Sequence, residues 1–137
     1  MFLLDTNACI RLLNGTSPAL AARLRAQRSR MVRLCSIVKA ELLYGARHSE
    51  RVAQNLELLQ RFFAPFECLV FDDACAEQYG VIRADLAREG SPIGPNDLLI
   101  AATAKAYDLT LVTHNVGEFC RVPGLRVSDW ETEPNSY

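Results

Sequence analysis

Three apolar residues, Phe2-Leu3-Leu4, run without interruption into Asp5-Thr6-Asn7. Successive apolar positions put hydrophobic side chains on both faces of a strand, and a central strand of a parallel sheet covered on both sides can bury both. Asp5 then falls at the end of that strand, where the chain turns into a helix. In open α/β sheets the ligand crevice lies outside the carboxyl ends of the strands, so an acid at that edge is placed for chemistry. It would serve equally as the cap of the next helix, since Asp, Thr and Asn all cap well. The choice turns on whether other segments bring more acids to the same edge.

The rest of the chain alternates strand and helix patterns. Asn7 to Leu13 reads as a helix stopped by Asn14-Gly15. Ser17-Pro18 is an N-cap followed by proline at the first helical position, and the helix it opens carries Leu20, Arg23, Leu24 and the arginines beyond. Met31 to Cys35 is a second strand, with Ser36 capping a helix to about His48. A third helix covers roughly Glu50 to Phe63, with Val52, Leu56, Leu59 and Phe63 at helical spacing, and Pro65 ends it. Glu67 to Phe71 is a third strand, and Asp72-Asp73 opens a helix to Arg88. After a loop from Glu89 to Pro95, Asn96 caps a helix to about Tyr107; Leu109 to Thr113 is a fourth strand and Leu125 to Val127 a short fifth. Residues 131–137 are polar and expected to be loose. Strands alternating with helices imply an α/β fold with a parallel sheet, and 137 residues without a repeat or linker suit a single domain, 1–137.

Three further acids stand where solubility does not need them. Glu41 falls inside an apolar stripe of Ile37, Ala40, Tyr44 and Gly45, about one and a half turns past the second strand. Glutamate is almost never fully buried without a partner. Asp97 follows Gly94-Pro95-Asn96 at a helix start and shares its face with Ile100, Ala101 and Ala104. An acid there also suits the helix dipole. Beyond the fourth strand, Thr113-His114-Asn115-Val116-Gly117-Glu118 spaces Asn115 and Glu118 by one helical turn. Thr113 occupies a strand end much as Thr6 does. A parallel sheet brings Asp5, Glu41, Asp97 and Glu118 together, with Thr6, Asn7, Thr113 and Asn115 in support. Carboxylates about 5 Å apart repel by about 3 kcal/mol per pair at an effective dielectric of 20, which calls for a cation. Hard oxygen ligands without Cys or His select Mg²⁺, with Mn²⁺ as substitute. One or two such ions activate water and stabilise the leaving oxygen in phosphodiester cleavage.

Composition narrows the setting. Net charge is −1, so bulk charge does not announce a nucleic-acid binder. Thirteen of the fifteen basic residues are arginine, however, and five of them, Arg23, Arg25, Arg28, Arg30 and Arg33, share one segment suited to RNA phosphates. A solvated helix face accounts for each of them equally well. Five scattered cysteines without a CxxC pair argue against a disulfide framework or a zinc site and for a reducing compartment. With neither a signal-peptide pattern nor an apolar run of roughly 18 residues, the expected location is cytoplasmic. His48 suits a helix end, and His114, near the acids, reads as a surface residue able to touch substrate.

LLDTN, SIVKAELLYG, GPNDLLIAATA and LVTHNVGEF followed by GLRVSDW, in that order, resemble a PIN-domain ribonuclease of the VapC toxin type. The resemblance spans nearly the whole chain. It implies a three-layer α/β/α sandwich around a mostly parallel sheet of four to five strands, Mg²⁺ or Mn²⁺ dependence, and endonucleolytic cleavage of RNA, often tRNA. It further implies a homodimer and an antitoxin that blocks the site. Asp5, Glu41 and Asp97 match the family's acidic core; Glu118 stands where the family often has Asp. Three alternatives are weaker. A silent domain that binds RNA or a partner gains nothing from a negative pocket. A haloacid-dehalogenase-type phosphatase needs a second Asp where this chain has Asn7, and a Rossmann cofactor binder needs glycines that Asp5-Thr6-Asn7 lacks.

Overall fold

The computed structural model describes residues 1–132. Its centre is a five-stranded sheet in the order β3-β2-β1-β4-β5, every neighbouring pair parallel. The strands are β1 (Phe2–Leu4), β2 (Val32–Cys35), β3 (Glu67–Leu69), β4 (Thr110–Val112) and β5 (Val127–Ser128). Adjacent residues of a strand face opposite sides. Leu3 and Leu4, Leu34 and Cys35, and Leu111 and Val112 are all buried, so both faces of the sheet are covered. That makes the three-layer α/β/α sandwich expected from the sequence.

The connections are helical: α1 (Thr6–Asn14), α2 (Pro18–Arg25), α3 (Ser36–Arg47), α4 (Val52–Phe63), α5 (Asp73–Arg88), α6 (Pro95–Ala106) and the short α7 (Val116–Phe119). Gly15 closes α1 in the left-handed conformation (φ 65°), with its N–H on the Arg11 carbonyl, which is why Asn14-Gly15 stops that helix. Ser17 caps α2 through its side chain with Pro18 at the first position. In α6, Ile100, Ala101 and Ala104 are buried, as their spacing with Asp97 implies.

Several boundaries differ from the sequence reading, each for a tertiary reason. The residue at the N-cap of α3 is Cys35, and Ser36 instead donates its hydroxyl to the Leu69 carbonyl of the neighbouring strand at 3.3 Å. Gly94 occupies the N-cap of α6 with Pro95 at the first position, leaving Asn96 exposed one residue inside. Helix α2 ends at Arg25, so Arg28, Arg30 and Arg33 are not on it. The buried face of α3 is Val38, Leu42 and Ala46; the anticipated stripe looks outward, with Tyr44 68 % exposed. Glu131, expected at the start of a loose tail, is anchored by Arg11 at 3.1 Å, and Trp130 packs edge-on to Phe2. Of the expected tail, residues 133–137 lie outside the described residues.

Candidate active site

Parallel pairing sets the C-terminal ends of β1 and β4 side by side, Leu4 opposite Val112. Asp5 and Thr113, the next residues, are therefore neighbours at the sheet edge. The Asp5 N–H donates to the Val112 carbonyl at 3.1 Å, and its carboxylate accepts from the Ala8 N–H at 2.8 Å. Asp5 is thus both the cap of α1 and an acid of the cleft, 4 % exposed. Burial raises its pKa, opposed by hydrogen bonds from the Thr113 hydroxyl and Ala8 and by the Arg11 charge; Glu131 adds to the rise.

Glu41 comes from α3, the helix after β2, and accepts a 2.6 Å hydrogen bond from the Thr6 hydroxyl. That bond ties the first turn of α1 to the middle of α3. Glu118, on α7 after β4, accepts from the Gly94 N–H at 2.9 Å through Oε1 and from the Asn115 side-chain amide through Oε2. The turn of helix that pairs Asn115 with Glu118 is as read from their spacing. Asn7 is exposed on the first turn of α1.

Asp97, third residue of α6, meets Glu118 at Gly94 and feels the charge of the other acids. Its carboxyl is pushed up to about 6, first by burial, then by the charge and hydrogen bond of Glu118, then by Glu41 and Asp5. A β-carbon on Gly94 would lie 3.5 Å from Asp97 Oδ2 and 3.8 Å from Glu118 Oε1, so the glycine leaves the mouth of the cleft open. Four carboxylates from four elements, with no sulfur or imidazole among them, are a donor set that fits a hard divalent cation.

The arginine segment stands elsewhere. Arg23 and Arg25 lie on α2, Arg28 and Arg30 lead into β2 at the opposite end of the sheet from the acids, and Arg33 pairs with Glu67 of β3 at 3.1 Å. The five arginines do not form one helical face, because α2 stops at Arg25. Sequence reasoning gave no role to Gly94, Arg11, Asp129 or Glu131, and it placed His114 near the acids without its Asp129 partner. Gly94 carried a local signal, its place just before Pro95 at a helix start.

The PIN domain family model matches residues 2–125. The chain belongs to the PIN-domain family. Within it, the chain is 41% identical over 129 residues to the tRNA(fMet)-specific endonuclease VapC of Salmonella typhimurium, covering 94% of this chain and 97% of that protein. The crystal structure of VapBC2 from Rickettsia felis bound to a DNA fragment from their promoter superimposes with a TM-score of 0.89 at 37% identity, covering 94% of this chain and 98% of that one. VapBC-5 from Mycobacterium tuberculosis, a member of the VapBC family of toxin–antitoxin systems, superimposes at 0.67 with 27% identity, covering 92% and 94%. This PIN domain is therefore of the VapC type, as LLDTN and the later motifs indicate.

Proposed function

We propose that the chain is the toxin of a toxin–antitoxin pair, a Mg²⁺-dependent endoribonuclease that cuts tRNA and so stops translation. What supports this reading is the set Asp5, Glu41, Asp97 and Glu118, with the Asp97 carboxyl pushed up to about 6 by burial first and then by the other three. Those four would hold Mg²⁺, or Mn²⁺ in its place. Bound among them, the ion supplies an activated water and neutralises charge developing on the scissile phosphate. The protein's own part is to keep the carboxylates oriented. Thr6 fixes Glu41, Ala8 and Thr113 fix Asp5, and Gly94 and Asn115 fix both oxygens of Glu118. Such preorganisation spares the site reorganisation when substrate arrives.

The substrate class rests on similarity to the Salmonella relative, a tRNA(fMet)-specific endonuclease. The antitoxin partner rests on the VapBC assemblies to which the chain is similar. We further read the protein as a cytoplasmic homodimer; among the described residues no helix is long and apolar enough to cross a membrane. The test is incubation of the purified chain with end-labelled tRNA. Cleavage is expected with Mg²⁺ or Mn²⁺, and not in EDTA or with Asp97→Asn. Undiminished cleavage in EDTA overturns the metal reading. No cleavage under any metal returns the chain to a silent binding domain.

A further inference from the structure

Beside the carboxylate cleft, on the side of β5, lies a second polar group that the metal chemistry does not use. His114 Nδ1 lies 2.9 Å from Asp129 Oδ2, and Asp129 Oδ1 accepts from the Glu131 N–H at 2.9 Å. Glu131 Oε2 is 3.9 Å from the same imidazole nitrogen and accepts from Arg11 of α1 at 3.1 Å. His114, Asp129 and Glu131 lie near enough to one another to hold a cation. Both acids already have donors, though: Asp129 the imidazole and a backbone N–H, Glu131 a guanidinium. The arrangement orients an imidazole.

Its orientation is useful. Asp129 engages Nδ1 of a side chain that is 52 % exposed, which leaves Nε2 for a ligand. His114 sits between Thr113, which bonds Asp5, and Asn115, which bonds Glu118. It is therefore one residue from each flank of the cleft, on the rim. A cleft of four carboxylates repels the polyanion it must hold, so phosphates flanking the cut need donors at the rim. With Nδ1–H committed to Asp129, Nε2 donates only as the imidazolium, a charge-assisted bond that suits a phosphate oxygen. We propose that His114, positioned by Asp129, binds an RNA phosphate next to the one cleaved. This inference rests on the ribonuclease reading for its ligand, and its effect is on binding. The charged groups facing the imidazole are Asp129 and Glu131 from the segment after β5, with Arg11 of α1 behind Glu131.

The experiment measures binding of the full chain to a labelled single-stranded RNA oligonucleotide in EDTA, over a salt series, at about pH 6 and about pH 8.5, either side of the usual imidazole range. His114→Ala should weaken binding about tenfold at the lower pH and flatten the salt slope by about 0.7, one phosphate contact to single-stranded RNA. The deficit should close at the higher pH. Other titrating groups, Asp97 included, are common to both proteins and cancel in the ratio. Asp129→Asn should fall between the two. With Mg²⁺ present, His114→Ala should raise KM and spare kcat. If the alanine variant fails to fold, His114→Gln keeps the bulk and must still lack the pH-dependent component. Equal binding by wild type and His114→Ala at about pH 6, or a deficit equal at both pH values, overturns the proposal. A chain that binds RNA through His114 yet cuts none defeats the nuclease reading alone; one that cuts RNA but binds it equally without His114 defeats this inference alone.

Discussion

Asp5 does two jobs that conflict. As the cap of α1 its carboxylate accepts the Ala8 N–H, yet burial and the nearby Glu131 charge penalise the ionised form. Asparagine keeps a capping oxygen and removes the charge. Asp5→Asn should therefore melt no lower than wild type in EDTA, whereas Asp5→Ala should lose about 0.5–2 kcal/mol with the cap. Adding Mg²⁺ should raise the melting temperature of wild type and leave both variants nearly unmoved, since a cation stabilises only a competent site. Calorimetry with and without EDTA decides. At Asp97 the sign runs with pH. The folded state keeps a proton there up to about 6, against 3.8 ordinarily, so between those values it binds more protons than the unfolded chain. Stability from this group falls as pH rises through that window and is flat above it. In EDTA, the stability margin of Asp97→Asn over wild type should widen from pH 3.8 to about 6 and then hold. A margin constant over the window would show that Asp97 ionises freely. Gly94→Ala tests the mouth of the cleft. Its β-carbon meets only ordinary contacts and φ is −56°, so the fold should persist while Mg²⁺ affinity, measured by calorimetric titration, drops.

Among the elements, the strands were the most legible, because their apolar residues are consecutive and only a doubly covered sheet buries both faces. Helix α3 was half legible. Ile37, Ala40, Tyr44 and Gly45 do share a face, but the adjacent face, Val38, Leu42 and Ala46, is the one that packs. The two faces are about one residue, 100°, apart, and periodicity does not choose between two apolar faces. Glu41 still reaches the cleft, from the flank between them. Caps at Ser36 and Asn96 were misread because each side chain's use depends on what lies across from it; Ser36 serves β3 instead. The His114–Asp129 pair was illegible for a related reason. It joins residues fifteen apart that meet only because β4 and β5 pair with Val112 opposite Ser128. The arginine segment yields a prediction of its own. Arg28 and Arg30 lie at the far end of β2, so replacing both with Ala should leave RNA affinity within about twofold at physiological salt, where steering is short-ranged. Arg33→Ala should instead lower the melting temperature modestly, since it breaks a cross-strand pair with Glu67 worth about 0.2–1 kcal/mol. A large loss of RNA binding in the double variant would restore the arginine patch.

At the scale of the whole molecule, the cleft is continuous with an apolar groove. Ile10 and Leu13 of α1, Leu42 of α3 and Leu58 and Leu59 of α4 line it, and Glu41 stands among them. Ile10 and Leu58 are 39 % and 46 % exposed, apolar surface left open beside a charged site. An amphipathic antitoxin segment laid in this groove would bury those residues and carry a basic side chain to the acids. Arginine suits the task because its fork meets carboxylates bidentately and it is less strongly hydrated than an ammonium. That side chain and Mg²⁺ would compete for the same oxygens, so the two ligands are negatively linked. Raising Mg²⁺ should then weaken the basic residue's share of the affinity without dissolving the apolar contact. Replacing the residue with Ala should restore part of the nuclease activity while the complex still co-elutes in gel filtration. Leu58→Glu on the toxin should do the reverse, loosening the complex while leaving cleavage of tRNA by the free toxin intact. Full inhibition by an antitoxin with no basic residue near Asp5, Glu41 or Asp97 would mean that the partner works by covering the cleft or parting a dimer.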